Sequence, residues 1–240
     1  MKRAPVIARR EISSYFYSPI AYVAMFLFLV AAGYLFWRDF VPGQPAGMRN
    51  IFDWMVWVLV FIIPVLSMGL LSQEWSTGTI EPLMTAPIDE TDVVIGKFLG
   101  AFGFFVVLMV PTLLYVVLLK LYSQAELGPI FSGYLGILLV GALFVAVGLF
   151  CSSLTRSQVI AAVTAVAILF LITIVPWEML RVEGSTLGGA WRTVADQGVF
   201  NRYADFSRGV INLAHIVFFV AVTSVFLFLT VKVLESRRWK

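Results

Sequence analysis

Groups able to do chemistry are few along this sequence, and a dense cluster of carboxylates lies in one polar stretch, residues 72–97. The stretch carries five carboxylates and ends on a single base: Glu74, Glu81, Asp89, Glu90, Asp92 and Lys97. Long apolar runs flank it on both sides. A carboxylate at the centre of a bilayer costs about 2.5–3.5 kcal/mol on insertion scales, so five of them cannot lie in lipid without compensation. We therefore expect this stretch to lie in water or against another protein.

A short apolar ridge stands inside the polar stretch. Ile80, Leu83 and Met84 recur at the i, i+3, i+4 spacing of one helical face, and Glu81 stands beside them. The pattern predicts a short helix over about 79–85, held at the membrane surface. Such a ridge suits docking into a groove of a partner protein. The alternative is an ordinary polar connector between two membrane spans, and spacing alone does not separate the two.

Elsewhere the sequence offers no catalytic set, since it contains no H-E-x-x-H, no G-x-S-x-G and no pair of aspartates inside an apolar run. The single cysteine, Cys151, lies in an apolar run, where a small buried residue is expected rather than a disulfide or a metal ligand. The single histidine, His215, is expected to serve helix packing more than proton relay. We therefore predict no catalytic site and no metal site.

The sequence also lacks a phosphate-binding loop for ATP. Gly96 and Lys97 are followed by Phe98, where the motif G-x-x-x-x-G-K-[ST] needs a hydroxyl, and Thr91 stands at the place of the first glycine. We therefore expect no nucleotide cofactor in this chain. If the protein moves a substrate uphill, the energy must come from another chain.

Composition indicates an integral membrane protein. The 240 residues are 60% apolar and 13% charged, whereas soluble domains are about 45–50% apolar and about 25% charged. The apolar runs are about 20 residues long, which favours membrane-spanning helices over a barrel of short alternating strands. The net charge of +3 is small and mostly terminal, so it indicates orientation in a membrane and no nucleic-acid partner.

Six spans are predicted in a single domain, residues 1–240, at about 18–37, 51–71, 93–119, 130–154, 159–176 and 210–234. Pro64 is expected to kink the second span, and Pro111 lies inside the third. The fourth span carries small residues that let helices approach closely in lipid: Gly133, Gly136, Gly141 and Gly148. The resulting fold class is all-α.

Two further segments lie outside the spans. Residues 3–17 mix arginines with apolar and aromatic residues, which predicts a helix lying in the interface rather than a disordered basic tail. The apolar run after them is too long for a cleaved signal, so we expect this segment to be retained. Residues 177–209 alternate charged and apolar residues and are expected to form short amphipathic helices, either a lid over an exit path or a plain structured cap.

Orientation follows from the distribution of bases. An even number of spans places both termini on one side, together with ten bases: Lys2, Arg3, Arg9, Arg10, Lys97, Arg156, Lys232, Arg237, Arg238 and Lys240. The other side holds seven. The positive-inside rule therefore predicts that the termini and the 72–97 loop are cytoplasmic.

The amino-acid sequence of the polar loop resembles that of the cytoplasmic coupling loop of ABC-2-type transporter permeases. That loop reads roughly Glu, variable residues, Gly-Thr-(Leu/Ile)-Glu, then Leu, Thr, Pro and a Gly/Ala-Lys at the next span. The matching positions are Glu74, Gly78, Thr79, Ile80, Glu81, Leu83, Thr85, Pro87, Gly96 and Lys97, and Met84 stands beside them on the predicted ridge. The resemblance implies a short cytoplasmic coupling helix between spans 2 and 3.

The resemblance also implies partners. In ABC-2 systems a separate cytoplasmic ABC ATPase binds ATP and Mg²⁺, and two six-span permeases, identical or homologous, pair around the path in the inner (plasma) membrane. The segments Ile7–Val23 and Phe206–Asn212 resemble the gliding-motility-associated branch, which tends to carry acids where this chain has Asn212 and His215. The alternatives are a secondary transporter or channel, for which no midplane acid is present, and a membrane scaffold without transport.

Overall fold

Helices make up every regular element that the structure, a computed structural model, describes in residues 4–39, 48–79, 89–122, 126–181 and 198–238. In chain order they are α1 Ala4–Tyr17, α2 Pro19–Asp39, α3 Arg49–Ser67, α4 Gly69–Thr77, α5 Glu90–Met109, α6 Leu113–Tyr122, α7 Leu127–Leu154, α8 Gln158–Arg181, α9 Val199–Ser207 and α10 Leu213–Arg238. A 3₁₀ turn, Val110–Thr112, joins α5 to α6 and contains the proline predicted inside the third span.

Six stretches are long and apolar enough to cross a membrane: Pro19–Asp39, Arg49–Thr77, Glu90–Tyr122, Leu127–Leu154, Gln158–Pro176 and Leu213–Arg237. The predicted all-α fold with six spans is thereby confirmed. Spans 2 and 3 run several residues beyond the predicted apolar limits, because a helix keeps its backbone hydrogen bonds after it leaves the apolar layer. The sixth helix begins three residues later than predicted, after Gly209 turns the chain at φ 93°.

Helix α7 is the most buried span, and the glycines predicted to allow close packing explain why. A Cβ atom on Gly141 would collide with the ring of Phe105 on α5. One on Gly133 would collide with Phe52 on α3, and one on Gly136 would lie 2.7 Å from Cβ of Phe206 on α9. Three neighbouring helices therefore reach the α7 backbone only because these positions lack side chains.

Helix α2, one of the outer spans, has one buried face and exposed apolar residues on its other faces. Ala21, Ala24, Phe28 and Ala32 are buried at the i, i+3, i+7, i+11 spacing of one helical face. The other faces carry exposed apolar side chains, which suits contact with lipid tails. Small residues on the inner face bring α2 close to α3.

The second span is interrupted where α3 gives way to α4, at Met68. Pro64 lies inside α3 and the helix continues through it, and the interruption of the helix falls about one turn further on. There the Ser152 hydroxyl of α7 inserts into the helix ladder. It accepts from the backbone N–H of Leu71 and of Ser72, both at 3.0 Å, and donates to the Met68 carbonyl at 2.8 Å. A side chain inserted into the i→i−4 ladder is a recognised cause of a helix bend.

Candidate functional site

The polar stretch predicted to face a partner is framed by two helices. Helix α4 carries Glu74 and ends at Gly78, whose left-handed φ of 73° favours glycine. Helix α5 begins at Glu90, with Asp89 in the N-cap position but without a side-chain cap hydrogen bond. The coupling-loop residues Ile80, Glu81, Leu83, Met84 and Pro87 lie outside the described residues, so the predicted coupling helix stays a prediction.

Helix α1 packs along a glycine seam on α5. A Cβ atom on Gly96 would lie 2.7 Å from Cβ of Ile7, and one on Gly100 would lie 2.5 Å from Cβ of Glu11. One on Gly103 would lie 2.9 Å from Ile12 Cδ1. The glycines recur at i, i+4, i+7, one face of α5, so the two backbones approach along more than two turns.

The helix predicted for residues 3–17 is thus present, and it packs against the bundle through small and aromatic residues. Ala4 and Ala8 are buried, and Tyr15 stacks on Phe104 of α5 with ring centroids 4.7 Å apart. The Tyr15 hydroxyl donates to the carbonyl of Leu66 at 2.8 Å, which joins α1 to α3. Burial, assisted by the charge of Glu11, raises the pKa of Tyr15, so this phenol stays protonated as a donor.

Lys97 is the centre of the junction of α1, α4 and α5. Its Nζ atom lies 2.7 Å from Oε1 of Glu11 on α1 and 2.8 Å from Oε1 of Glu74 on α4. The lysine is only 2% exposed, although its two partners keep some contact with solvent. Removing one partner from a buried ion pair costs about 3–5 kcal/mol because the other charge is left uncompensated. One ammonium therefore holds together the two helices that flank the loop and α1, which is distant from both in sequence.

The charges of this group do not balance. Two carboxylates face one ammonium, and Oε2 of Glu74 is buried without a hydrogen-bond partner among the described residues. A cavity of about 630 Å³ opens beside the group and is also lined by Arg10 and Gln73. The junction therefore borders a cavity whose shape would change if α4 or α5, the helices that flank the loop, moved.

The last helix reaches the same end of the bundle. The Arg237 guanidinium of α10 lies 4.7 Å from the ring centroid of Trp75 on α4, and its Nη2 donates to the carbonyl of Leu154 at 2.6 Å. Cation–π contact and a hydrogen bond to the last carbonyl of α7 thus connect α10 with both neighbours.

Before the segment 80–88, three of the coupling residues predicted from sequence are described. Glu74 joins the ion-pair group, Gly78 ends α4, and the Thr79 hydroxyl lies 2.9 Å from that of Thr77. Gly78 and Thr79 thus form the turn that follows α4, before the loop. The role of Glu11 was missed; its signal was a single acid at an apolar-facing position among arginines.

The histidine, the cysteine and the outer helix lie away from this junction. Cys151 is free and buried. Nε2 of His215 lies 2.8 Å from Oδ2 of Asp205, and Nδ1 lies 3.3 Å from Nη1 of Arg202, so His215 joins α9 to α10. Helix α9 is one of the amphipathic helices predicted for 177–209, and it packs Tyr203 and Phe206 inward. In the described ranges no three His, Cys, Asp or Glu side chains are placed to hold a metal ion.

Comparison with known proteins places the chain in a family. No curated protein matches the chain. The family model described as "ABC-2 family transporter protein" matches residues 44–238, so α3 to α10 fall inside the match and α1 and α2 before it. Six membrane-spanning helices and this match agree with each other. The chain therefore belongs to the ABC-2 transporter family and is a multi-pass membrane permease component of an ABC transporter.

Proposed function

We propose that this chain is driven by a separate cytoplasmic ABC ATPase that docks on residues 80–88 and on their stems. The single observation that carries the proposal is the Lys97 group, in which one buried ammonium bonds Glu74 before the loop and Glu11 on α1. Lys97 itself follows the loop, on α5. A displacement of the loop is thus passed to three helices at once.

The two helices that flank the loop connect to the membrane spans in different ways: α4 joins α3 at an interrupted point, and α5 is packed tightly against α1. On one stem, α4 meets α3 at the Ser152 insertion, where the interrupted ladder permits bending. On the other stem, α5 carries α1 on its glycine seam. Movement of the loop would therefore bend the second span while α1 and α5 move together.

The ridge Ile80, Leu83 and Met84 would supply the apolar contact with the ATPase, with Glu81 available to pair with a base of the partner. Gly78 sets the end of α4 from which this segment departs, and Pro87 would limit it before α5. Full burial of each ridge side chain is worth about 1.5–3 kcal/mol. ATP and Mg²⁺ would be bound by the partner ATPase, and no substrate site is assigned here.

The wider assembly extends the same proposal. Residues 1–240 would form one domain with both termini cytoplasmic, in the inner (plasma) membrane, paired with a second copy or a homologous permease. The count of bases supports this orientation. In this orientation the loop stems beside Lys97 would lie where a soluble ATPase can reach them.

Within the family, we place the chain closest to the gliding-motility-associated branch. The resemblance in the segments Ile7–Val23 and Phe206–Asn212 supports this placement. The two departures from that branch have local roles in this chain. Asn212 Oδ1 accepts from the N–H of Ala214 at 2.9 Å and caps α10, and His215 pairs with Asp205. The branch name does not by itself assign motility.

The test is recovery of an ATP-binding subunit with tagged protein purified from its native membranes. Photolabelling with an azido-ATP analogue detects the subunit, and ATP hydrolysis is measured in the same eluate. Leu83→Asp places a charge in the proposed groove and should abolish both signals while the protein remains folded. Leu127→Asp is the matched control, since Leu127 is exposed at the other end of the bundle and begins α7, where an acid suits the helix dipole.

Recovery of the ATPase with Leu83→Asp but not with Leu127→Asp would reverse the proposed docking end. A wild-type chain that recovers no ATPase and transports in reconstituted vesicles without ATP would favour the secondary-transporter alternative instead.

A further inference from the structure

A second pocket lies at the end of the bundle opposite the coupling loop. It measures about 600 Å³ and lies between the first turns of α3 and the polar side of α9. Its lining combines two arginines, an aspartate, two asparagines, two tryptophans, a phenylalanine and an alanine: Arg49, Arg208, Asp53, Asn50, Asn201, Trp54, Trp57, Phe200 and Ala204. Both signs of charge and a large aromatic surface thus meet in one cavity, the composition of a site for a ligand with an apolar part and a few polar groups.

Polar atoms around this pocket are not satisfied by the protein that the structure describes. Oδ1 of Asp53 and Oη of Tyr203 are buried, and neither has a hydrogen-bond partner among the described residues. Tyr203 is fully buried on α9, close enough to feel the charge of Asp53. Buried polar groups in folded proteins almost always have partners. Asp53 lines the pocket and its carboxyl group has a side-chain hydrogen bond with Ser207, so a cationic donor in the pocket would add a second partner to this carboxyl.

The two arginines of the pocket, Arg49 and Arg208, indicate that its ligand also carries an anionic group. Arg49 and Arg208 both lie near enough to act on the charge of Asp53, yet both line the open cavity and are exposed. Guanidinium groups bind phosphate oxygens by paired hydrogen bonds. A ligand that matches the whole pocket therefore has a phosphate at the arginines and a cationic N–H donor at Asp53.

The position of the pocket indicates where such a ligand comes from. The second membrane span begins at Arg49, so the pocket lies at the level where this span enters the membrane. Trp54 is 46% exposed, and the guanidinium of Arg38 on α2 lies 5.6 Å from its ring centroid. Tryptophans and arginines at this depth contact lipid headgroups.

We propose that this pocket binds the headgroup of an aminophospholipid, with its phosphate at Arg49 and Arg208 and its primary ammonium at Asp53. A choline headgroup has the same charges but no N–H to donate to Asp53. A glycerol headgroup has hydroxyls but no cation to pair with the carboxylate. The pocket therefore selects an ethanolamine headgroup over both.

The test is native mass spectrometry of the full-length protein in detergent with dioleoyl phosphatidylethanolamine, phosphatidylcholine and phosphatidylglycerol added in equal amounts. We expect ethanolamine adducts to exceed choline adducts by about tenfold, the worth of a hydrogen bond to a charged group. Asp53→Asn should remove that preference. Arg49→Gln should weaken ethanolamine and choline adducts alike, because both share the phosphate. Asp205→Asn, on α9 outside the pocket, is the matched control and should keep the preference.

Equal adduct intensities for the ethanolamine and choline lipids on the wild-type protein would overturn the proposal, and this comparison holds even if Asp53→Asn fails to fold. Retention of the preference by folded Asp53→Asn would also overturn it. Soluble glycerophosphoethanolamine is not expected to displace the lipid at equimolar concentration. Displacement would show that a free headgroup is the ligand and would contradict the lipid assignment.

Discussion

Nζ of Lys97 lies 2.7 Å from Oε1 of Glu11, and this ion pair joins residues 86 positions apart. The pair also links the region matched by the family model, residues 44–238, to the segment before it, because Lys97 lies within that region and Glu11 precedes it. The helix α1 is therefore attached to the matched region by a buried charge as well as by the glycine seam of α5. The following predictions test this attachment and the packing around it.

Lys97→Met should be strongly destabilising, because Glu11 and Glu74 would be left as neighbouring, partly buried charges without their cation. We expect a loss of about 3–5 kcal/mol, the usual cost of breaking a buried pair by removing one partner. Thermal unfolding of the purified protein in detergent, with yield from membranes, measures it. Lys232→Met is the matched control: Lys232 pairs with Glu235 in an exposed contact, worth about 0–1 kcal/mol. Equal melting of the two variants would contradict the central role of Lys97.

Gly100→Ala should detach α1 from α5. The added Cβ would lie 2.5 Å from Cβ of Glu11 and 3.2 Å from the carbonyl oxygen of Ala8, so the two helices must separate. Overpacking of this kind costs about 1–3 kcal/mol. Limited proteolysis should then cut within α1 faster than in the wild type. Gly128→Ala, where nothing lies within 4 Å of the added atom, should be cut at the wild-type rate. Unchanged protection of α1 in Gly100→Ala would show that the seam tolerates a methyl group.

Gly141→Leu should lower the yield of folded protein, because its side chain would enter the space of the Phe105 ring on the most buried span. The substitution separates α7 from α5, and no lipid-facing route is open to the new side chain. Yield and monodispersity on size-exclusion chromatography report the effect. Gly128→Leu serves as the comparison on the same helix. If both variants elute like the parent, α7 and α5 pack less tightly than described.

Ser152→Ala should destabilise the second span at its hinge. The substitution leaves the N–H groups of Leu71 and Ser72 without their acceptor in a buried place. Each buried unsatisfied group costs about 1–3 kcal/mol, so a clear fall in melting temperature is expected. Ser224→Ala removes an exposed serine whose hydroxyl only bonds the carbonyl of Val220, and should melt like the wild type. If Ser152→Ala unfolds at the wild-type melting temperature, the N–H groups of Leu71 and Ser72 find acceptors within their own helix once the hydroxyl is removed.

The sequence alone was sufficient to predict the all-α fold class, the number of membrane spans and the glycine-bearing helix α7 as the centre of packing. Apolar runs of membrane-spanning length predict helices because an unpaired backbone group is too costly in lipid, so the residues themselves decide the element. The glycines of α7 likewise indicated close approach before any contact was known. The resemblance of the 72–97 loop pointed to the family that residues 44–238 then matched.

Contacts between distant segments were decided only by the tertiary structure. The sequence predicts Glu11 only as part of an interfacial helix, and nothing in local spacing pairs it with Lys97 or predicts that Ser152 inserts into the second span. The pocket of Asp53, Trp54 and Arg208 likewise needs α9 folded back onto α3. Hydropathy and helical period describe one element against its surroundings, whereas an ion pair, an inserted hydroxyl or a cavity depends on which faces of different helices meet. That choice is made by the packing of the whole bundle.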